Sequence, residues 1–409
     1  MKTVLQKISV PFAYPVCFTH HVFAPTHTLL ATLLAKKRSG THARVLAVVD
    51  AGLAKATPPL VRQIEAYFHA HRDTLALVRS PLLVPGGENA KNGWGNVREI
   101  MSAAGVEHLD RHSYVLAIGG GGVLDMAGFA ASLVHRGLRF VRIPTTVLAQ
   151  SDAGVGVKNG MNEGGAKNFA GTFAPPFAVI NDFAFLKTLP QQEWIGGVSE
   201  AFKVAIIKDK PFFRFLCKNA GALRNRDQAV MEKVVEKTAR LHLSHIASSG
   251  DPFEFGSSRP LDFGHWAAHR LELMSNFTLG HSSAVAIGIA LDSTYAMLKG
   301  MISPSERTQI VQGLADCGMP VWSPLLERAG STGEPDVLRG LEQFREHLGG
   351  RLCITLPRPI GKKHEVHSIN VALVKKAISL LDRESQSPRR DAPAHKGLPP
   401  LQHRTRLAT

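Results

Sequence analysis

The sequence predicts an α/β fold, in which an amino-terminal, doubly wound, nucleotide-binding α/β domain precedes a mostly α-helical metal-binding domain. Three observations carry that expectation. Short apolar β-type runs alternate with helical stretches as far as Ile143. The glycine run Gly119–Gly122 separates the apolar strand Tyr114–Ile118 from small and apolar residues at helical spacing. From Trp194 onward, one stretch after another carries the helical period.

Taken in order, Val4–Val10 and Tyr14–Thr19 read as short strands and Thr26–Lys37 as a helix. Val45–Val49 is a continuous apolar β run, Pro59–Ala70 a helix, and Leu75–Val78 with Leu82–Val84 a strand pair. A turn at 85–92 leads into the helix Trp94–Ala104; the strand Tyr114–Ile118, the helix Met126–His135 and the strand Leu138–Ile143 follow. Between Ser151 and Gly171 the chain is rich in Gly, Asn, Lys and Asp and reads as a polar connection. Val198–Ile207, Phe212–Ala220, Ala229–Ala247, Gly264–Met274, Ser282–Leu298, Glu306–Asp316, Val337–Leu348 and Asn370–Leu381 read as helices, with Leu352–Thr355 a late strand. The expected domains are 1–190 and 191–383, and the Ser-, Pro- and Arg-rich 384–409 reads as a disordered basic tail.

In parallel sheets ligands sit at the carboxyl ends of strands, where the glycine run lies. Glycine lets the backbone approach a ligand, and a helix start offers free N–H groups to phosphate. A dinucleotide pyrophosphate is the expected guest. A buried tight turn also wants glycine, and the spaced-glycine dinucleotide fingerprint is absent.

Composition narrows the partners. At 409 residues the chain is long enough for two domains, and 44% hydrophobic with 20% charged residues is ordinary for a globular protein. The net charge of +15 is scattered or gathered in the tail, without a basic face interleaved with aromatics. An anionic small substrate, such as a phosphate ester, explains it better than nucleic acid. Cys17, Cys217, Cys317 and Cys353 form no CxxC pair and read as reduced thiols. Pro11, Pro15 and His20/His21 interrupt any signal-peptide core, and no apolar run approaches the ~18 residues of a membrane span. The expectation is a cytoplasmic protein with no membrane partner.

Two constellations could carry chemistry. His265 and His269 stand at i, i+4 on one helical face, His281 opens the next helix, and Glu200 lies within one turn of Lys203. Two imidazoles and a carboxylate can hold a divalent ion with positions left for substrate oxygens. Most of the 19 histidines will be packed or surface groups, so spacing alone supports the trio weakly. Lys158, Lys167, Asn168 and Lys203 form a second set, suited to clamping an anion, against the plainer reading of loop solvation.

Gly119–Asp125, Arg136-Gly137, Ile143-Pro144-Thr145-Thr146, Asp152 to Lys158, Lys167-Asn168, Thr188-Leu189-Pro190, Glu200-Ala201-Phe202-Lys203, Phe263-Gly264-His265 and Gly280-His281 follow one another in a set order. In that order the chain, over roughly 44–300, resembles a sugar-phosphate cyclase of the 3-dehydroquinate synthase family, with most likeness to the synthase-like members of ebo-type gene clusters. The resemblance implies that Glu200, His265 and His281 ligate a divalent ion, zinc or else cobalt. It implies that NAD is held by Asp50, Glu88 and Lys91 on its adenosine side, and by Gly120, Gly121, Asp125, Thr145 and Thr146 elsewhere, with Lys167 and Thr188 also at the cofactor site. Asp152, Lys158, Asn168, Lys203 and His269 would surround a sugar-phosphate substrate, and Arg136 would reach its phosphate across a homodimer interface. The implied chemistry is oxidation, phosphate elimination, return of the hydride and aldol closure of a carbocycle, with NAD recycled.

The departures bear on substrate. Leu124 replaces a family glycine, Ser244 and Ser258 (with Arg259 one step displaced) stand where dehydroquinate synthases grip a carboxylate, and Asp262 replaces an asparagine. Phe344-Arg345-Glu346-His347 takes the place of a lysine pair. Without charged partners a buried carboxylate loses on the order of 2–5 kcal/mol. The expected substrate is therefore a neutral-headed, seven-carbon sugar phosphate of the sedoheptulose 7-phosphate kind. The alternatives are a true dehydroquinate synthase, a metal-dependent polyol dehydrogenase of the same architecture, and a module that keeps NAD without catalysis.

Overall fold

The computed structural model describes residues 3–35, 42–164, 166–248, 253, 260–330, 333–347 and 350–386. Seven parallel strands build the main sheet: β1 (Val16–Thr19), β2 (Ala43–Asp50), β3 (Leu75–Leu77), β4 (Leu82–Val84), β5 (Tyr114–Gly119), β6 (Arg139–Pro144) and β9 (Ala178–Asp182). Their order is β1-β9-β6-β5-β2-β3, with β4 continuing beside β3 on the same edge of β2. Strands β2 and β5 are unbroken apolar runs because helices cover both faces, the usual condition of a parallel sheet. The register sets Asp50 opposite Val84, Val49 opposite Ile118 and Gly119 opposite Pro144, so the strands end along one common rim.

Helices α1 (Leu29–Leu34), α2 (Ala51–Ala56), α3 (Leu60–Ala70), α4 (Gly95–Val106) and α5 (Gly121–Leu133) connect these strands. Helix α5 starts at Gly121, not Met126, so Gly121 and Gly122 open its first turn, Gly120 caps it and Gly119 ends β5. A Cβ on Gly122 would lie 2.3 Å from the Gly87 carbonyl oxygen, so only glycine lets α5 meet the turn after β4. Leu124, the departure from the family glycine, turns into the core and is 1% exposed.

Beyond the sheet come α6 (Gln191–Gly196), α7 (Val198–Lys208), α8 (Lys210–Lys218), α9 (Ala220–Arg224) and α10 (Gln228–Ser248). They are followed by α11 (His265–Met274), α12 (His281–Leu298), α13 (Pro304–Asp316), α14 (Arg339–His347) and α15 (Val371–Gln386). One continuous core unites them, with Trp194, Phe202, Phe213, Phe263 and Tyr295 buried at its centre. Among the described residues, no helix is long and apolar enough to cross a membrane.

Four expectations are corrected. Val4–Val10 is not a strand: it lies exposed and unpaired, with Pro11 and Pro15 separating it from the β1 ladder. The polar stretch Ser151–Gly171 is not a loop but a π-helical turn at Ala149–Ala153 and an antiparallel hairpin, β7 (Lys158–Glu163) with β8 (Ala166–Phe173). Apolar periodicity cannot reveal it, because β8 leaves most of its side chains in contact with water. Late strand β10 (Ile354–Pro357) has an unforeseen polar partner, β11 (Lys363–Val366). The helix α15 runs on through Gln386, and Glu384, expected in a disordered tail, accepts from Arg307 at 2.6 Å. The rest of that tail, 387–409, lies outside the described residues, as do Lys36 and Lys37 of the first expected helix.

One buried cation ties sheet to hairpin. Arg142, on β6, is 0% exposed. Its Nη1 donates to the Gly154 and Gly156 carbonyls at 3.1 and 2.7 Å, and its Nη2 to the Lys158 carbonyl and Asn159 Oδ1 at 3.0 and 2.8 Å. Burial pushes its pKa down to about 10, still charged at neutral pH. Arg142→Met leaves those oxygens without donors and should cost ~3–5 kcal/mol in urea unfolding. A loss under about 1 kcal/mol would contradict the strut.

Candidate active site and metal centre

A cleft of about 850 Å³ opens between the strand rim and the helices. Asp50, Glu88, Lys91, Gly120, Gly121, Asp125, Thr145, Thr146 and Asp152 line its sheet side. Lys167 and Asn168 enter from the hairpin, and Thr188, His269, Glu272 and His281 from the far wall. Most of the residues expected at a cofactor or substrate site therefore share one cavity.

The sheet side suits a dinucleotide. Gly120 precedes the first turn of α5, whose N–H groups face the cleft at the glycine-rich rim. Asp50 caps α2, its Oδ1 accepting from Gly52 N and Leu53 N at 2.7 and 3.1 Å. Lys91 is 4% exposed, bonds Asp125 Oδ2 at 3.1 Å and also donates to Asn168 Oδ1. Burial raises the Asp125 carboxyl and Lys91 works against it. Thr146 Oγ1 accepts from Ala149 N at 3.1 Å, while the Thr188 hydroxyl is committed to the Phe185 carbonyl at 2.8 Å.

Behind the opposite wall, α7, α11 and α12 converge. Glu200, His265 and His281 each point one ligand atom at the others, all within 4.8 Å. His265 Nε2 and His281 Nε2 lie 3.7 and 3.8 Å from Glu200 Oε1. Bonds of about 2.0–2.1 Å in a tetrahedral zinc site put ligand atoms roughly 3.4 Å apart, close to the two separations from Glu200 Oε1. Each imidazole has its other nitrogen engaged: His265 Nδ1 with the Phe263 carbonyl at 3.1 Å, His281 Nδ1 with Glu272 Oε2 at 3.3 Å. That leaves both Nε2 atoms free to ligate.

Glu200 decides the fit. It is 1% exposed and neither carboxylate oxygen receives a well-formed hydrogen bond from a described residue, its contact with Lys203 being an ion pair. Burial pushes its pKa up, against the pull of Lys203. Such a carboxylate is expensive unless a cation meets it. Burial, followed by the positive charge of Lys203, drives the His265 pKa well below its usual value, so this ligand is neutral at physiological pH. The donor set fits a divalent ion.

Lys203 also pairs with Asp152 Oδ2 at 3.5 Å, and His242 Nδ1 sits 2.8 Å from Asp152 Oδ1. Burial alone would raise Asp152, but Lys203 and His242 bring it well below the usual range. Asp152 is thus a fixed anion in the cleft.

Five expected residues are not part of the cleft lining: Glu200, His265 and Lys203 are buried behind it, and Lys158 and Arg136 lie away from it. Lys158 is exposed at the start of β7, outside the cleft lining. Arg136 is exposed in the turn before β6, at the opposite end of that strand from the cleft. Ser244 is exposed on α10, Phe344 packs in the helical core, and Ser258 and Arg259 lie outside the described residues. Asp262 adds to the negative surroundings that keep Lys203 protonated.

Three site residues escaped sequence reasoning. Glu272 stands on the His265/His269 face of α11, and that spacing was a usable signal. Asp292 is the one acidic residue of α12, a signal of the same kind. Nothing in the sequence marks His242.

Models of the 3-dehydroquinate synthase N-terminal and C-terminal parts match residues 81–196 and 197–332. A 2-epi-5-epi-valiolone synthase of Streptomyces glaucescens is 32% identical over 379 residues, 91% of this chain and 92% of that protein. The chain belongs to the 3-dehydroquinate synthase family. Another member, a 3-dehydroquinate synthase of Rhodopseudomonas palustris (strain BisB18), is 33% identical over 83% of this chain and 87% of its own length. Among solved structures, ValA, a 2-epi-5-epi-valiolone synthase from Streptomyces hygroscopicus subsp. jinggangensis 5008 with NAD+ and Zn2+ bound, superposes with a TM-score of 0.80. That pair is 28% identical, covering 94% of this chain and 99% of ValA.

Against the two residues that flank His265 lies a carboxyl with an unusual pKa. Asp292 accepts from Trp266 Nε1 at 2.8 Å and from Gly264 N at 3.0 Å, fixing the start of α11. Gly264 has φ +81, a left-handed conformation suited to glycine. Burial pushes Asp292 up to about 7 from 3.8, outweighing both bonds. Between those values the folded chain holds a proton that the unfolded chain releases, so stability falls as pH rises through the window, by on the order of 4 kcal/mol in all. For metal-free protein, the stability gap between wild type and Asp292→Asn should therefore narrow from pH 4 to pH 8. Parallel stability curves would show that Asp292 does not titrate there.

Proposed function

We propose that this chain is an NAD- and metal-dependent sugar-phosphate cyclase acting on a neutral-headed, seven-carbon sugar phosphate of the sedoheptulose 7-phosphate class. The observation that carries the reading is the convergence of Glu200, His265 and His281 against the cleft that also holds the glycine-rich start of α5. Glu200, His265 and His281 would hold the ion, and the Gly120–Asp125 turn with Asp50, Glu88, Lys91, Thr145 and Thr146 would hold NAD. Together these groups supply hydride transfer and stabilisation of an alkoxide.

The chain's own side chains divide the remaining work. Asp152, kept ionised by Lys203 and His242, accepts a hydrogen bond from a substrate hydroxyl and orients it. Lys203 offers a buried positive charge beside that hydroxyl, where negative charge develops. His269 stands in the cleft wall 6.2 Å, ring to ring, from His281, where its imidazole can pass a proton to a departing phosphate oxygen. Asn168, whose Oδ1 accepts from Lys91, offers its amide N–H groups as neutral donors.

Support for a neutral head group comes from the exposed Ser244, the core-packed Phe344 and the acidic Asp262 near Lys203, an arrangement unsuited to a substrate carboxylate. Phosphate release should be faster from sedoheptulose 7-phosphate than from the carboxylate-bearing heptulosonate 7-phosphate, with no net NADH. Faster turnover of the heptulosonate would refute the substrate class, and stoichiometric NADH would point to a dehydrogenase. Glu200→Ala should lose bound metal and at least ~100-fold in turnover.

Arg136, remote from its own cleft, fits a homodimer in which each subunit completes the other's site. Randomly mixed Arg136→Ala and Glu200→Ala subunits should then regain about a quarter of wild-type activity, since half the dimers are mixed and each has one intact site. No recovery in mixtures that exchange subunits would exclude a shared site.

A further inference from the structure

We propose that Glu272 is a positioning residue for the metal centre, and that Lys167 of the hairpin sets it from across the cleft. This rests on the metal reading above and deepens it.

Glu272 is 3% exposed on the cleft-facing side of α11, and its two oxygens serve different partners. Oε2 meets His281 Nδ1 at 3.3 Å, and Oε1 accepts from Lys167 Nζ at 2.7 Å. The two histidine ligands are consequently held in different ways. His265 donates to the carbonyl of Phe263, two residues away in its own backbone, and the fold alone keeps it in place. His281 is held by a carboxylate, which fixes the Nδ1–H tautomer, orients the ring and makes Nε2 a stronger donor to a metal. That carboxylate depends in turn on a lysine borne by β8, in the part of the chain that builds the nucleotide side of the cleft.

The lysine is itself guided. Its Nζ lies 5.0 Å from the centre of the Phe277 ring, and Phe277 N donates to the Glu272 carbonyl at 2.8 Å. The turn that ends α11 therefore presents an aromatic face beside the carboxylate that Lys167 seeks. With Lys167 withdrawn, Glu272 becomes a buried anion short of one partner and its grip on His281 changes. Hairpin position and metal affinity are thereby linked, and an anionic ligand competing for Lys167 would be felt at the metal.

The test is Co²⁺ affinity, measured by chelator competition on metal-stripped, NAD-free full-length protein, for wild type, Glu272→Gln, Lys167→Met and the double variant. Glu272→Gln should weaken binding ~10- to 100-fold and shift the visible bands of bound Co²⁺. Lys167→Met, which touches no metal ligand, should change binding by about a factor of three or more, and the double variant should stay within about twofold of Glu272→Gln alone. Affinities of Glu272→Gln or Lys167→Met within twofold of wild type overturn the proposal, as do losses that add fully in the double variant. Should Glu272→Gln fail to fold, the Lys167→Met affinity decides alone. A wild-type chain that binds no Co²⁺ refutes the metal reading itself, a result distinct from a metal-binding chain indifferent to both changes.

Discussion

The desolvation of one carboxylate, Glu200, governs how this molecule is assembled. Placing that group on α7 with almost no access to water costs several kcal/mol unless positive charge is brought to it. Lys203, one turn further along the helix, answers only part of the demand, because Asp152 shares the same ammonium. One lysine shared between two carboxylates leaves Glu200 short of positive charge, and the Nε2 atoms of His265 and His281 face it. A divalent cation is the simplest species that balances such a cluster.

The rest of the fold serves to hold α7, α11, α12 and the turn at Ala149–Ala153 in register. Strand β6 ends at the cleft, and the π-helical turn that follows carries Asp152 toward Lys203. Arg142 fastens the segment after that turn by its carbonyls, so the rim of the sheet cannot drift from the hairpin. On the helical side, Asp292 pins the backbone and indole at the start of α11, and the close Gly264–Gly288 contact brings α11 against α12. Glu200, His265 and His281, on three different helices, are thus brought together by a few buried polar contacts as well as by general packing.

Much of this was legible in the sequence. Strand β5 and most of β2 are apolar runs, and α7 and α12 are long, largely apolar stretches, so their places could be read directly. The metal trio and the glycine-rich rim were legible as an ordered set of short motifs, and the family models match the part of the chain that carries them. The hairpin was not, since β7 and β8 bury too little apolar surface to leave a pattern. Nor was the apolar run Val4–Val10 informative, because strand formation needs a neighbour to pair with and none is offered there. Glu272 and Asp292 lay on visible helical faces but look like ordinary acidic residues until their partners, 105 and 26 positions away, come into contact. His242 gained its meaning only from the packing of α10 against the turn that bears Asp152.

The most direct test of the account is anomalous diffraction at the zinc or cobalt edge from crystals of the intact chain grown with metal and NAD. A single strong peak bonded to Glu200, His265 and His281, with the nicotinamide ring beside it in the cleft, is the predicted result. A peak elsewhere, or a dinucleotide bound away from the Gly120–Asp125 turn, would contradict the account.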